Sequence, residues 1–160
     1  MIKETFKLKG SLLIKKNGKV EREIPNAVVA VGRDWVIKRM QQDHASGNYK
    51  AMTHMAVGYK DWTGINAVPD NEAQLASEQG RVAFTTSGNS ITTPTNDSSR
   101  LILQFVANFP AGTATTQLTE AGVFNSATSG QGTMLCRTKF DVINKGADDT
   151  LEITWKIEVS

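Results

Sequence analysis

Glu120 is the charged residue whose surroundings most need a chemical explanation. It stands in the run Leu118-Thr119-Glu120-Ala121-Gly122-Val123-Phe124, where a carboxylate among apolar neighbours must find a partner or give up its charge. Gly122 permits a bulge or a close approach of backbone in the same run. Arg137, on what reads as the adjacent strand, is the candidate partner, because a guanidinium holds a carboxylate through directional, charge-assisted hydrogen bonds. The expected role is structural: an ion pair between Glu120 and Arg137 that fixes strand register.

Other combinations that could do chemistry are thinner. His44 and His54 lie ten residues apart with no cysteine or carboxylate at a zinc-motif spacing, so no metal site is expected. Asp61, Asp70, Asn71 and Glu72 supply the oxygen ligands a calcium ion prefers, but the EF-hand spacing is missing and a solvated loop is the plainer reading. Cys136 has no second cysteine to pair with and falls on the apolar side of a strand, where thiols are inert. No Gly-x-Ser-x-Gly elbow occurs, and Gly112 and Gly122 are followed by no helix that could cradle a phosphate. No catalytic residue and no cofactor is therefore expected, and the chain reads as a non-enzyme.

Aromatic rings could stack on sugars, but Trp155 falls in an apolar strand and Trp35 on a helix. Trp62 is left in a loop, and an interface anchor is its expected use, since tryptophan is enriched among residues that dominate binding energy. Tyr59 and Ile65 in the same loop, and Lys7 and Lys9 on the first strand, complete the expected interface.

The elements that must position these residues follow from periodicity. Phe6, Leu8, Gly10, Leu12 and Ile14 alternate with polar residues, apart from Leu13, as in a half-buried strand, and Asn17-Gly18 supplies the positive φ angles of a type I′ turn, so Lys19 to Ile24 should return antiparallel. Pro25 should end that strand or place it at an edge. Asp34 can cap a helix over 34–44 with Val36, Ile37 and Met40 on one face, broken by Ser46-Gly47-Asn48. Met52 to Gly58 reads as a strand, Tyr59 to Asn71 as a long loop, Glu72 to Glu78 as one or two helical turns, and Arg81 to Thr86 as the next strand. Thr85 to Ser99, rich in Ser, Thr and Asn, reads as an exposed hairpin tip.

Toward the end the pattern sharpens. Leu101, Leu103, Phe105, Ala107 and Phe109 share one face of a strand; Met134, Cys136, Thr138, Phe140 and Val142 share a face of another. Leu151, Ile153, Trp155, Ile157 and Val159 alternate without error with polar residues, and each is worth about 1.5 to 3 kcal/mol if fully buried. Six or seven short strands with one helix near the start predict a mainly β fold, an antiparallel β-sandwich, with a closed barrel as the alternative. Residues 1–160 should form one domain, with 1–25 as an N-terminal β-hairpin available to neighbouring subunits.

Composition narrows the class. With 39% hydrophobic and 21% charged residues the chain is ordinary for a folded globular protein, and its apolar runs are too short for a signal peptide or a membrane span. The net charge of +2 conceals an asymmetry: residues 1–60 hold 12 Lys and Arg against 5 Asp and Glu, residues 61–160 hold 6 against 11. The basic third lacks a nucleic-acid motif, so direct nucleic-acid binding is not expected, and complementary charge between neighbouring subunits accounts for the asymmetry as well.

Three stretches then carry a family resemblance: Leu118-Thr119-Glu120-Ala121-Gly122-Val123-Phe124-Asn125, Gly132-Thr133-Met134-Leu135-Cys136-Arg137, and Leu151-Glu152-Ile153-Thr154-Trp155-Lys156-Ile157. With His54-Met55-Ala56-Val57-Gly58, a variable loop, and Ala73 to Glu78 leading to Arg81, the chain resembles the N-terminal domain of tail-collar fibre proteins of contractile-tailed bacteriophages over roughly residues 26–159. The resemblance implies a structural virion protein, made in the bacterial host cytoplasm, that anchors or adapts a tail appendage at baseplate, collar or neck without cofactor or catalytic residue. Its expected partners are copies of itself in a symmetric homo-oligomer and other virion proteins, with no membrane. Fibre proteins continue into a shaft and receptor-binding tip, whereas the sequence in hand stops at Ser160, so host recognition is not expected of it. Capsid decoration is the alternative, and a carbohydrate-binding module resting on Trp62 and the acidic loop ranks below it.

Overall fold

The computed structural model describes residues 7–39, 49–97 and 100–159. His44, the far part of the expected helix, the break at Ser46-Gly47-Asn48, and Phe6 lie outside the described residues.

Strands β1 (Leu8–Lys16) and β2 (Lys19–Val28) form the expected hairpin around Asn17-Gly18, whose φ angles of 49° and 78° are those of the left-handed region. A type I′ turn matches the right-handed strand twist, so the Asn-Gly pair sets the register locally. The hairpin is built into the sheet. Along its whole length β1 also pairs with β9 (Leu151–Val159), from Leu8 opposite Val159 to Lys16 opposite Leu151, and Leu12 and Ile14 are fully buried. The edge of β1 is thus closed, and what the hairpin leaves for other molecules is its outward side chains, its turn and the outer edge of β2 ahead of Ala27.

Pro25 does not end β2, which runs on to Val28. Its carbonyl accepts a hydrogen bond of 2.7 Å from Thr138 Oγ1, on the side away from β1, and backbone N and O of one strand residue point the same way. The missing N–H therefore faces an edge that joins β8 (Met134–Asn144) only further on, at Ala27 and Val28.

The remaining elements are α1 (Ala30–Arg39), β3 (His54–Gly58), β4 (Glu78–Ala83), β5 (Ser90–Thr92), β6 (Leu101–Phe109) and β7 (Gln117–Phe124). The strands join in one sheet of order β4-β3-β7-β8-β2-β1-β9-β6-β5, with every pairing antiparallel. The sheet curls until its far parts touch: Phe84, just past β4, bridges to Ala107 on β6, and Thr85 N donates to Val106 O at 2.8 Å. The fold is mainly β with one short helix among the described residues, as expected, and its two halves are continuous through β2. The main core draws Leu12, Phe105, Phe109, Ile153 and Trp155 from one half and Met55, Val57, Leu118, Val123 and Phe140 from the other.

The helix begins four residues before the expected cap at Asp34. Docking explains the shift. A Cβ on Gly32 would come within 1.9 Å of the Leu135 carbonyl oxygen, so the helix backbone rests directly on β8, and Ala30 N donates to Asp70 O at 2.7 Å. Asp34 then falls inside the helix and pairs with Lys38 four residues on, at 3.1 Å.

Helical turns over Glu72 to Glu78 do not form; that segment is irregular and Glu78 already opens β4, which starts ahead of the expected Arg81. The amides a helix would use internally are taken by a side chain from elsewhere, described below. On β8 the register shifts between Leu118 and Glu120, so Ile143 is buried opposite Leu118 while Val142, expected inside, is 43% exposed. A second shift, between Val123 and Phe124, makes Leu135 the extra residue of a bulge and turns Met134 to a smaller cluster with Phe124, Ala56, Val29 and Leu75. In β9 the alternation holds: Leu151, Ile153, Trp155 and Ile157 are buried, and Val159 half-buried.

Candidate functional site

Strands β3, β7 and β8 present two faces. Val57, Ala121, Val123 and Cys136 enter the main core. On the other face, register rows set Gly58 beside Glu120 and Lys139, and Ala56 beside Gly122 and Arg137. Residues 59–77 lie over this second face.

Glu120 has no exposed surface. Its Oε2 accepts hydrogen bonds from Arg137 Nε at 3.0 Å and from Arg137 Nη2. Its Oε1 accepts from the backbone amides of Ala76, at 2.8 Å, and Ser77, at 3.4 Å. Arg137, equally buried, donates through Nη1 to Glu72, whose other oxygen accepts from Lys60 Nζ at 2.6 Å. Burial by itself raises the Glu72 carboxyl, but hydrogen bonds from Lys60 and Arg137 outweigh it and hold the group below its ordinary value. A chain of alternating charge thus runs from the sheet, through Glu120 and Arg137, out to Glu72 and Lys60 on the loop.

Trp62 closes this chain. Its ring centroid lies 4.9 Å from Lys60 Nζ, 5.1 Å from the Arg137 guanidinium carbon and 5.6 Å from Lys139 Nζ, within reach of cation–π attraction. Its Nε1 donates to Thr119 O at 3.1 Å, and Lys60 N donates to the Thr119 hydroxyl at 2.8 Å. Lys139 Nζ donates to the Ile65 carbonyl. Gly58 admits the covering segment: a Cβ there would meet Ser77 O at 2.7 Å and Glu120 Oε1 at 3.0 Å.

The structure brings Glu120 and Arg137 together and gathers Trp62 and the Ile65 carbonyl around them, half-buried and engaged within the chain. Tyr59 is 39% exposed and lines a shallow cleft of ≈ 230 Å³ with Asp61, Trp62, Asp141 and Val142. Lys7 and Lys9 stand apart from this group, exposed at the start of β1 in the other half of the sheet, with Lys9 opposite Glu158. The acidic loop does not converge: Asp61 caps Thr63 through its amide, at 2.9 Å, and its hydroxyl, at 2.6 Å, while Asp70 pairs with Arg33 at 3.0 Å. Among the described residues no group of three or more His, Cys, Asp or Glu is placed to hold a metal ion. Cys136 is fully buried, which pushes its thiol well up against the opposing effect of the Asn26 amide.

Glu72, Lys60, Lys139 and the Ala76 and Ser77 amides are members of the site that the sequence reading did not assign. One signal pointed to them. Arg137 and Lys139 share a strand face with a single acid, Glu120, in view, and two cations there call for a second carboxylate. A second arginine whose side chain is almost wholly covered, Arg81, is held by Glu78 at 2.7 Å and donates to the carbonyls of Ser126 and Gln131, both at 3.0 Å.

Both oxygens of Glu120 and the Arg137 guanidinium are occupied, so what this arrangement does is clamp a long polar loop onto a sheet. Comparison with family models, with curated proteins and with solved structures found no match.

Proposed function

We propose that this chain is a non-enzymatic structural subunit of a tailed bacteriophage particle, tail-associated at baseplate, collar or neck, or an adaptor on which a fibre docks. The observation that carries this reading is the clamp itself. A long polar loop would normally lose much conformational freedom on binding a partner; here Glu120, Arg137, Glu72 and Trp62 have already ordered it. A pre-ordered, charged surface beside a sheet suits a protein whose work is to pack against fixed neighbours.

The resemblance of 118–125, 132–137 and 151–157 to tail-collar fibre domains supports the same reading. So does the cleft at Tyr59, where partly exposed aromatic and aliphatic groups are flanked by Asp61 and Asp141, the apolar centre and charged rim of a protein interface. Under this reading the subunit forms a symmetric homo-oligomer with other virion proteins as neighbours.

The test is protein mass spectrometry of purified particles of the encoding phage, followed by immunogold labelling. Label at the tail is the expected outcome. Label over the head would replace it with capsid decoration, and absence of the chain from intact particles would overturn the proposal altogether.

A further inference from the structure

We propose that Asn17 is a deamidation site which the folded protein keeps latent by clasping the β1–β2 turn to the loop before β9, and whose conversion unfastens that end of the molecule. The chemistry needs only water. The backbone nitrogen of Gly18 gives up its proton and attacks the side-chain carbonyl carbon of Asn17; the new N–C bond closes a five-membered imide as the bond to Nδ2 breaks, and Nδ2 leaves with that proton as ammonia. Water then opens the imide to aspartate or isoaspartate. Glycine is the follower that best allows this, since no side chain shields its nitrogen, and both Asn17 and Gly18 are exposed to solvent.

The folded geometry opposes the first step. Asn17 Nδ2 donates to Asp149 Oδ1 at 2.7 Å, and Asn17 Oδ1 accepts from Thr150 N at 2.9 Å and from the Thr150 hydroxyl at 3.4 Å. The Asn17 backbone N donates to Thr150 O at 3.0 Å. For the side-chain carbon to swing onto the Gly18 nitrogen, the amide must release both neighbours. Asp149 is itself fixed by Gly146 N at 2.7 Å and by Lys16 Nζ at 3.2 Å, so it holds its place as an acceptor.

The product cannot remake the bond to Asp149, although the Thr150 amide could still donate to it. An aspartate at position 17 has no side-chain N–H to offer, and its carboxylate would face the Asp149 carboxylate, already paired with Lys16, across the former hydrogen bond. The isoaspartate route also inserts an extra backbone carbon into a turn whose φ angles of 49° and 78° are those of a two-residue hairpin loop. The same end of the molecule carries Lys145, buried, with its Nζ donating to Pro110 O at 2.9 Å in the β6–β7 loop.

The experiment is an ageing series of the purified protein at mildly alkaline pH, followed by peptide mapping of residue 17 for the amide-to-acid mass gain and for isoaspartate. Three samples are compared: the native protein, the same chain held in denaturant, and the Asp149→Ala variant with its fold checked by circular dichroism. The native protein should convert at least about tenfold more slowly than the denatured chain, the factor expected from one charge-assisted hydrogen bond, and Asp149→Ala should recover much of that rate. Equal rates in native and denatured chains, no conversion of Asn17 in denaturant, or a folded Asp149→Ala as slow as the native protein would each overturn the proposal. Should Asp149→Ala not fold, the native and denatured samples still decide it.

Discussion

Arg137 stands two residues along β8 from Lys139, the residue directly opposite Glu120, and reaches diagonally past Gly122 to take the Glu120 carboxylate with its Nε at 3.0 Å. The diagonal matters because it leaves the other Glu120 oxygen free to accept the Ala76 and Ser77 amides. One buried pair thereby orders a segment more than forty residues away in sequence.

Removing either partner should strand a buried charge. Glu120→Ala or Arg137→Ala should each cost about 3 to 5 kcal/mol in denaturant unfolding, and the double variant should lose less than the sum, with a coupling of about 0.5 to 3 kcal/mol. Exchanging the two charges should not rescue stability, because the Ala76 and Ser77 amides would then face a cation and Glu72 a carboxylate. Additive losses would show that the pair does not act as a unit.

Trp62 is spent within the chain, so its removal should loosen the loop before it affects any partner. Trp62→Phe keeps a ring for the three cations and loses the bond to Thr119 O, an expected cost of about 0.5 to 1.5 kcal/mol. Hydrogen exchange should quicken at Lys60, whose amide is held by the Thr119 hydroxyl, while β9 stays protected. Unchanged exchange at Lys60 would contradict the clamp.

Gly32 offers a case where propensity and packing predict opposite signs. Alanine is the better helix former by about 1 kcal/mol. A Cβ at that position would nevertheless lie 1.9 Å from the Leu135 carbonyl oxygen. Gly32→Ala should therefore lower the melting temperature, with a net loss of about 1 to 3 kcal/mol from forced separation of helix and strand. A gain in melting temperature would show that α1 does not rest on β8 as described.

Two groups give stability an acid dependence with the same sign. Burial, with Arg81 nearby, lowers the His54 pKa, so in the window just below about 6.5 the unfolded chain binds the proton more readily than the folded one. Stability should fall as pH drops through that window, and His54→Gln should flatten the fall. Asp149 is held at about 2, first by the Asn17 amide and then by the Gly146 amide and Lys16. Its contribution is fully present above about 4 and is lost as pH falls through about 2, because protonation removes the charge that strengthens its hydrogen bonds and pairs with Lys16. Urea midpoints measured across the pH range, with Asn17→Ala to weaken the second effect by taking away its largest cause, check both.

What the sequence by itself determined were the features whose cause is local. Strict alternation made β9 a core strand, and Asn17-Gly18 could turn only where two positive φ angles were wanted. The apolar setting of Glu120 demanded a cation, and Arg137 stood at a reachable place. Tertiary structure decided the rest, because it depends on which backbone groups distant parts of the chain claim. Glu72 to Ser77 forgo a helix since Glu120 takes the Ala76 and Ser77 amides; α1 starts at Ala30 since Gly32 meets β8; Val142 turns outward since β7 and β8 shift register at Leu118. Glu72, which in sequence looked like a solvated loop acid, became the second anion on Arg137 by the same route. A periodic pattern tells a strand which face is wet, but the partner that satisfies a buried charge or a stray amide is known only once the chain has folded back on itself.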